Sequence, residues 1–313
     1  MSAIATESLL AGIDAAVEPN APLGKRTYFS VGGCADFLAS PRSEAALVDI
    51  TRRCAEAGVP LRVLGEGANL LVDDEGVDGV VVCLDQPCFR ERTFDRSADG
   101  VTLHAGAGLA MNRLIRESGQ RALGGLEQMI GIPATLGGAL RMNAGGRWGD
   151  IAQSTISLRL VGADAKVRTI SASDAGFAYR HTSLPAGIIT GAALSLRDED
   201  PKELRERIKE ISAIKAASQP LAANSAGCMF RNPADSTGRR LSAGALIDEA
   251  GLKGLCHGTA QVSPVHGNFI TIETGGSTRH VAELSEQVAQ RVHDRHGIRL
   301  DREVVFWRRG GSE

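Results

Sequence analysis

The amino-acid sequence predicts an α+β fold. Strand-like segments alternate with short helical segments, but without the regular alternation of a doubly wound parallel sheet. Two neighbouring runs, residues 157–161 and 166–170, have the pattern of an antiparallel hairpin. Hydrophobic residues make up 43% of the 313 positions and aromatic residues only 4%. Aliphatic side chains and alanine must therefore build the cores of a globular protein.

Hydrophobic periodicity and turn residues define the elements of the first 200 residues. Residues 2–18 have the pattern of a short amphipathic helix, through Leu9, Leu10, Ile13 and Val17. The further predicted elements are a strand within residues 27–40, a helix over 44–57 that ends at Gly58, strands over 61–64, 77–84 and 101–105, a helix over 111–118, the hairpin, and a strand over 188–196.

The last hundred residues have a second α+β pattern. Residues 197–201 are polar and end in proline, which favours a domain boundary near residue 200. The elements predicted beyond it are a helix over 203–217 that stops at Pro220, a loop over 224–238, a helix over 243–250, strands near Gln261 and Ile270, and a helix over 281–296 with Val281, Leu284, Val288 and Val292 on one face.

Composition excludes several functional classes. A net charge of -2 offers no general attraction to nucleic acid or to an anionic membrane. No apolar run reaches the ~18 residues of a membrane-spanning helix, and the N-terminal residues lack the pattern of a secretory signal. No two of the six cysteines have CxxC spacing, so neither a zinc site nor a redox dithiol is indicated. We expect a cytoplasmic protein with reduced thiols and no bound metal.

The first glycine-rich segment is Gly65-Glu66-Gly67-Ala68-Asn69, between a predicted strand and an apolar run that begins at Leu70. Glycines here would expose backbone N–H groups to an anion such as a pyrophosphate. The segment is neither a GxGxxG dinucleotide fingerprint nor a P-loop. A tight hairpin turn is the alternative interpretation.

Small residues dominate a second segment, residues 131–146, in which Pro133 fixes one turn. Such a stretch can follow a long ligand and donate backbone hydrogen bonds to it. The alternative is a close crossing of helices or strands that requires small side chains.

Three shorter segments carry reactive or charged groups. Arg180 beside Tyr179 suits an anionic ligand, with an ordinary surface arginine as the alternative. Cys228, on a glycine loop, is a candidate nucleophile or proton donor, with an inert buried cysteine as the alternative. Glu303 precedes an apolar strand and is either a buried, perturbed acid or a charge at a strand edge.

Together these segments resemble the UDP-N-acetylenolpyruvoylglucosamine reductase (MurB) family. Glu303 falls where that family has its C-terminal glutamate, and the absence of a long insertion in the last third resembles the shorter, type II form. The signatures that occur in the family's order are residues 27–33, GEGANLLV from Gly65, GIPATLGGALRMNAGG from Gly131, FAYRHTS from Phe177, AGCMFRNP from Ala226, and similar stretches between residues 244 and 269.

The resemblance implies an FAD-binding fold of the vanillyl-alcohol-oxidase-like (PCMH) type over residues 1–200. This part would consist of two subdomains that split near residues 85–100, and a substrate-binding domain would follow over 201–313. It further implies a monomer whose partners are a UDP-sugar and NADPH, with no nucleic acid and no membrane. The cofactor-binding positions implied are Gly65, Gly67, Ala68, Asn69, Leu70, Pro133, Thr135, Gly137, Gly138, Asn143, Ala144 and Gly145.

The reaction implied belongs to peptidoglycan precursor synthesis. NADPH reduces FAD, flavin N5 gives hydride to the β-carbon of UDP-N-acetylglucosamine enolpyruvate, and a general acid protonates the α-carbon to yield UDP-N-acetylmuramate. Arg180 and Glu303 would stabilise the enol, and Cys228 would donate the proton. The implied substrate contacts are Tyr179, Arg231, Asn232 and Lys253.

Three positions depart from the family pattern. Cys228 stands where most members have serine, and a thiol, with a pKa of ~8.5, is the easier proton source. Val305 stands where members often have arginine, and Ala68 where the first glycine loop usually carries serine. We expect the backbone N–H groups of the loop to keep FAD binding intact.

Two further hypotheses stay open on the sequence alone. A flavin oxidase or dehydrogenase of the same fold would act on another substrate, and a flavin-binding regulatory homologue would not turn over. The complete set of Tyr179, Arg180, Cys228 and Glu303 argues against the regulatory protein.

Overall fold

A computed structural model of the chain describes residues 9–98, 100–220 and 223–311. Among these residues, no helix has both the length and the apolar character needed to cross a membrane. The helices are α1 (Glu44–Ala57), α2 (Met111–Gln120), α3 (Leu136–Arg141), α4 (Pro201–Ser218), α5 (Ala243–Glu249) and α6 (Thr278–His296).

Short strands supply the β structure of the described residues. They are β1 (Ala15–Pro22), β2 (Cys34–Pro41), β3 (Leu61–Leu64), β4 (Leu70–Val72), β5 (Val77–Cys83), β6 (Arg92–Ser97), β7 (Gly100–Gly106), β8 (Leu123–Gly124), β9 (Gly145–Gly146), β10 (Gly149–Asp150), β11 (Thr155–Gly162), β12 (Val167–Ser171), β13 (Gly187–Asp198), β14 (Cys256–His257), β15 (Ala260–Val262), β16 (Ile270–Ile272) and β17 (Val305–Trp307).

Residue contacts divide the chain into two compact units. The first consists of residues up to 20, 36–66 and 79–214, and the second of residues 21–35, 67–78 and 215 onward. The second unit therefore takes two short segments from the N-terminal part of the sequence. The functional domain boundary near residue 200 stays a prediction.

Two sheets organise the first unit. One has the strand order β1-β2-β5-β3, with β3 and β5 parallel, and the other the order β12-β11-β13-β7-β6, with β8 paired to the end of β13. The antiparallel pairing of β11 with β12 confirms the predicted hairpin. Aliphatic residues such as Leu47, Ile50, Leu103 and Leu114 are fully buried in its core, as the low aromatic content requires.

In this unit one sequence-based prediction is wrong in part, and one strand was not predicted. Residues 2–8 of the predicted first helix lie outside the described residues, residues 9–10 are helical, and residues 15–22 form the strand β1, whose side chains are largely exposed. Pairing with β2, rather than burial of an apolar face, holds this segment. The charged stretch at 92–97, for which the sequence predicted no element, is the edge strand β6, and ion pairs such as Arg96–Asp198 (2.6 Å) accommodate its charges.

The second unit has a separate core around α5, α6 and the sheet β14-β15-β16. The predicted apolar face of α6 is confirmed, since Val281, Leu284, Val288 and Val292 are each at most 1% exposed. Ser277 begins this helix as its N-cap, and the left-handed Gly297 ends it. These elements give the unit an α+β core, so both units agree with the predicted fold class.

A parallel pair of strands joins distant parts of the second unit. Val305, Phe306 and Trp307 of β17 lie opposite Leu70, Leu71 and Val72 of β4. The side chain of Asn69 also donates a hydrogen bond to the carbonyl oxygen of Glu303 (3.0 Å), 234 positions away. The strand that follows the first glycine-rich segment is therefore paired with the strand that follows Glu303.

An ion pair in the first unit provides a test of its stability. Arg159 donates two hydrogen bonds of 2.8 Å to the carboxylate of Glu44, and Thr190 donates a third of 3.0 Å. Chiefly because of Arg159, the pKa of Glu44 lies below its ordinary value of 4.5. The folded state therefore favours the ionised form of this side chain.

We expect Glu44→Gln to lower the free energy of unfolding by about 1 kcal/mol at pH 7, a small value because Arg159 is exposed. A depressed pKa stabilises the fold above pH 4.5 and loses this effect as the pH falls through the folded value. Denaturant titrations of both proteins should therefore converge in acid. Glu56→Gln, at an exposed position of the same helix, is the control, and an equal loss there would contradict the assignment.

Candidate active site

The first glycine-rich segment is not a hairpin turn. The strands on either side of it do not pair with each other, because β3 pairs with β5 and β4 pairs with β17. Among the described residues, the N–H groups of Glu66, Gly67, Ala68 and Asn69 donate no hydrogen bond. Four consecutive unpaired N–H groups are suited to binding an anion.

Close packing explains both glycines of this segment. In the first unit, a Cβ at Gly65 would lie 2.7 Å from the hydroxyl oxygen of Thr135. In the second unit, Gly67 has a φ of +66°, and a Cβ there would overlap the carbonyl oxygen of Arg26. Burial raises the pKa of the Glu66 carboxyl between them.

The second glycine-rich segment is partly helical rather than extended. Thr135 begins α3, and its hydroxyl accepts a hydrogen bond from the N–H of Gly138 (3.2 Å). Gly137 packs so closely on Ala107 that a Cβ would lie 3.0 Å from it. The helix therefore uses many of the N–H groups that the sequence suggested for a ligand. Close packing, posed above as the alternative, is therefore present in this segment, and ligand binding by its remaining N–H groups stays a prediction.

The start of this segment keeps unpaired donors. Within the described part of the chain, the N–H groups of Gly131, Ala134 and Thr135 donate no hydrogen bond. Like the first segment, this segment therefore keeps N–H groups of the kind that can donate to an anion such as a diphosphate.

Arg180 lies in a tight turn of the first unit. Ala178 and His181 exchange backbone hydrogen bonds of 2.9 and 3.2 Å, so Tyr179 and Arg180 are the two central residues. Arg180 has a left-handed φ of +54°. Its guanidinium lies 5.1 Å from the ring centre of Tyr179 and donates a 2.7 Å hydrogen bond to the carbonyl oxygen of Gly145. The half-buried arginine is thus bonded to the second glycine-rich segment.

Cys228 and Glu303 lie on neighbouring segments of the second unit. The N–H of Glu303 donates to the carbonyl oxygen of Met229 (2.8 Å), and Phe230 forms a β-bridge with Arg302. Both candidate side chains are half-buried. Cys228 is therefore not fully buried, and its role as a proton donor stays a prediction. Because Asn69 bonds to Glu303, the exit of the first glycine-rich segment belongs to the same arrangement.

Asn268 is a residue of this arrangement that the motif interpretation did not single out. Its side chain accepts from the N–H of Phe230 (2.9 Å) and donates to the carbonyl oxygen of Phe230 (2.8 Å), and it is only 3% exposed. It therefore fixes the backbone just after Cys228. The only sequence signal for it was its position in the stretch that resembles the family between residues 244 and 269.

The predicted substrate-binding residues of the second unit have different surroundings. The side-chain oxygen of Asn232 accepts from the N–H of Ala243 (3.0 Å) at the start of α5. Lys253 forms an ion pair with Asp248 (2.6 Å). The Nε of Arg231 is buried and makes no hydrogen bond in the described structure. A ligand of complementary charge would give the Arg231 nitrogen a partner that the described protein does not supply.

Similarity to known proteins agrees with this geometry. Residues 35–171 match the family model of an FAD binding domain, so the predicted FAD-binding fold is confirmed. Residues 219–307 match the family model of the UDP-N-acetylenolpyruvoylglucosamine reductase C-terminal domain. No group of three or more His, Cys, Asp or Glu side chains suited to a metal ion occurs among the residues that the structure describes.

Relatives extend the similarity over most of the chain. A UDP-N-acetylenolpyruvoylglucosamine reductase of Heliobacterium modesticaldum is 40% identical over 90% of this chain and 88% of its own length. A second, from Symbiobacterium thermophilum, is 36% identical over 91% and 90%. The crystal structure of the enzyme (MurB) from Thermus caldophilus superposes with a TM-score of 0.78 at 34% identity, over 94% of this chain and all of that one. The chain therefore belongs to the UDP-N-acetylenolpyruvoylglucosamine reductase family.

Proposed function

We propose that this protein reduces UDP-N-acetylglucosamine enolpyruvate to UDP-N-acetylmuramate, with NADPH as the reductant and FAD as the bound cofactor. The observation that carries the proposal is the bonded pair of segments in the second unit that hold Cys228 and Glu303, within a chain of this family. No observation favours an oxidase or dehydrogenase acting on another substrate.

Each candidate residue has a role in this reaction. When bound, FAD supplies the hydride that it receives from NADPH. Cys228 donates a proton to the α-carbon of the substrate. Arg180 and Glu303 stabilise or polarise the enol, and the positive charge of Arg180 offsets the negative charge that develops there. Tyr179, Arg231, Asn232 and Lys253 contact the substrate, and the two glycine-rich segments bind the cofactor.

The setting of the enzyme is part of the proposal. We propose a cytoplasmic monomer whose partners are the UDP-sugar and NADPH, with neither nucleic acid nor membrane involved. Residues 1–200 are proposed as the FAD-binding domain and residues 201–313 as the substrate-binding domain.

A coupled absorbance experiment tests the reaction. The purified protein should be yellow, and NADPH oxidation followed by absorbance should require UDP-N-acetylglucosamine enolpyruvate. An equal rate of NADPH oxidation without this substrate, in the presence of oxygen, would identify an oxidase instead. A colourless protein that gains no flavin absorbance on incubation with FAD would contradict the cofactor assignment.

We expect Gly65→Ala to lower the FAD affinity at least about tenfold, because the new methyl group would meet the hydroxyl of Thr135 and shift the N–H groups beside it. Flavin content after purification and FAD titration of the apoprotein measure the effect. Gly119→Ala, in α2 with only an ordinary contact to Ile208, is the control and should keep its flavin. Equal affinity for both variants would remove Gly65 from the cofactor site.

A further inference from the structure

With its side chain, Asn143 makes three hydrogen bonds close to the turn that carries Arg180. It is 3% exposed, and its backbone has a left-handed φ of +41°. Its amide nitrogen donates to the carbonyl oxygen of Ala178 (2.9 Å) and to a carboxylate oxygen of Asp150 (3.3 Å), and its amide oxygen accepts from the N–H of Ala152 (3.3 Å). These bonds use both amide hydrogens and one of the two lone pairs of the amide oxygen.

Arg180 is held at two places, by the backbone turn that carries it and by the hydrogen bond from its guanidinium to Gly145, and the bonds of Asn143 reach both places. Ala178 opens the turn that carries Arg180, so the bond to its carbonyl oxygen fixes the backbone of the turn. Asp150 pairs with Gly145 in the small sheet of β9 and β10, and the carbonyl oxygen of Gly145 accepts the hydrogen bond from the Arg180 guanidinium. The side-chain amide of Asn143 therefore fixes the backbone next to Arg180. It also supports the strand whose carbonyl oxygen, that of Gly145, accepts the hydrogen bond from the Arg180 guanidinium.

The conformation of the turn explains why such an anchor is needed. Arg180 is a non-glycine residue in the left-handed region, which is unfavourable unless the surroundings enforce it. Asparagine adopts the left-handed conformation at its own position more readily than most residues. Asn143 thus tolerates the left-handed backbone conformation at its own position, and its side chain holds the neighbouring turn.

We infer that Asn143, which the resemblance placed among the cofactor-binding positions, is a positioning residue whose side chain acts on the substrate through Arg180. The inference rests on the proposed function of Arg180. Its predicted consequence is selective: loss of the amide should impair the step in which the substrate accepts hydride and leave flavin reduction by NADPH intact.

Asn143→Asp is the most informative variant, because it keeps the size of the side chain and its acceptor oxygen but removes the N–H group that donates to the carbonyl oxygen of Ala178. We expect FAD content and the rate of anaerobic flavin reduction by NADPH to stay within about threefold of wild type. Reoxidation of the reduced flavin by UDP-N-acetylglucosamine enolpyruvate should slow about 100-fold, the effect of a small misplacement of a reacting group. Asn112→Asp, the same change at an exposed position of α2, should behave as wild type.

A double-mutant cycle tests whether the effect passes through Arg180. In an Arg180→Ala background, Asn143→Asp should slow reoxidation by less than about threefold. A full 100-fold loss in that background, or loss of FAD in the single variant, would overturn the inference.

Limited digestion with trypsin tests the positioning without any turnover. A released turn should expose the bond after Arg180, so Asn143→Asp should be cut there faster than wild type and Asn112→Asp. Unchanged cleavage would overturn the inference. If wild type fails to reduce the substrate while cleavage is still faster in Asn143→Asp, the proposed function fails and the anchoring of the turn stands.

Discussion

Cys228→Ala should lose nearly all turnover with UDP-N-acetylglucosamine enolpyruvate, by about 10²- to 10⁴-fold, the usual contribution of a general acid. Cys228→Ser should stay active, because a hydroxyl restores a proton donor of nearly the same size. The structure supports this role, since Cys228 is half-buried and its segment is bonded to that of Glu303. Steady-state kcat values of the three proteins at one pH measure the effect.

Two controls separate loss of the proton donor from loss of the site. Flavin content and the rate of flavin reduction by NADPH should be equal in the wild type and both variants. A fully active Cys228→Ala would remove the thiol from the mechanism. Ser225 would then be the next candidate, because its hydroxyl is buried and makes no hydrogen bond among the described residues.

Peroxide should inactivate wild type faster than Cys228→Ser, because peroxide oxidises the thiol of Cys228 to sulfenic and higher acids and does not oxidise the serine hydroxyl in this way.

Glu303→Gln should lower the rate of substrate reduction by about 10²-fold or more while flavin reduction by NADPH stays unchanged. The substitution keeps the shape of the side chain and removes the carboxyl that, in our proposal, stabilises the enol. Because the backbone of Glu303 carries the bonds to Met229 and Asn69, the neutral side chain should leave the local fold in place. Stopped-flow measurement of the two half-reactions separates the effects.

A parallel fall of both half-reactions would instead indicate that Glu303 has a structural role. Glu286→Gln, in α6 at a 64% exposed side chain paired with Arg302, is a suitable control for removal of a carboxylate near this segment. It should keep both rates within about twofold of wild type, as expected for a surface ion pair.

Elements with strong local signals could be predicted from the sequence. The helix Glu44–Ala57 has a serine cap, an apolar face and a left-handed glycine at its end, and its bounds agree with the prediction. The strands β1 and β6 were missed because partner strands and ion pairs, rather than an alternating apolar pattern, hold them. Their stabilisation lies in tertiary contacts, which a single sequence does not display.

The sequence named the members of the candidate site, whose roles stay predictions, but it could not indicate their connections. Resemblance to the family pointed to Arg180, Cys228 and Glu303, and the half-buried positions of these residues are compatible with that selection. The hydrogen bonds from Asn143 to the turn and from Asn69 to Glu303 join segments far apart in the sequence. No periodicity or spacing reports such bonds, because they depend on how the loops fold back on the sheets.

The pairing of β4 with β17 also constrains the order of folding. During synthesis the strand that leaves the first glycine-rich segment emerges from the ribosome more than two hundred residues before its partner. Closing so long a loop is entropically costly and slow. The segment can therefore reach its final conformation only late in synthesis. A nascent chain halted before Val305 should be unable to retain FAD, even though every glycine of the cofactor-binding segments has already been made.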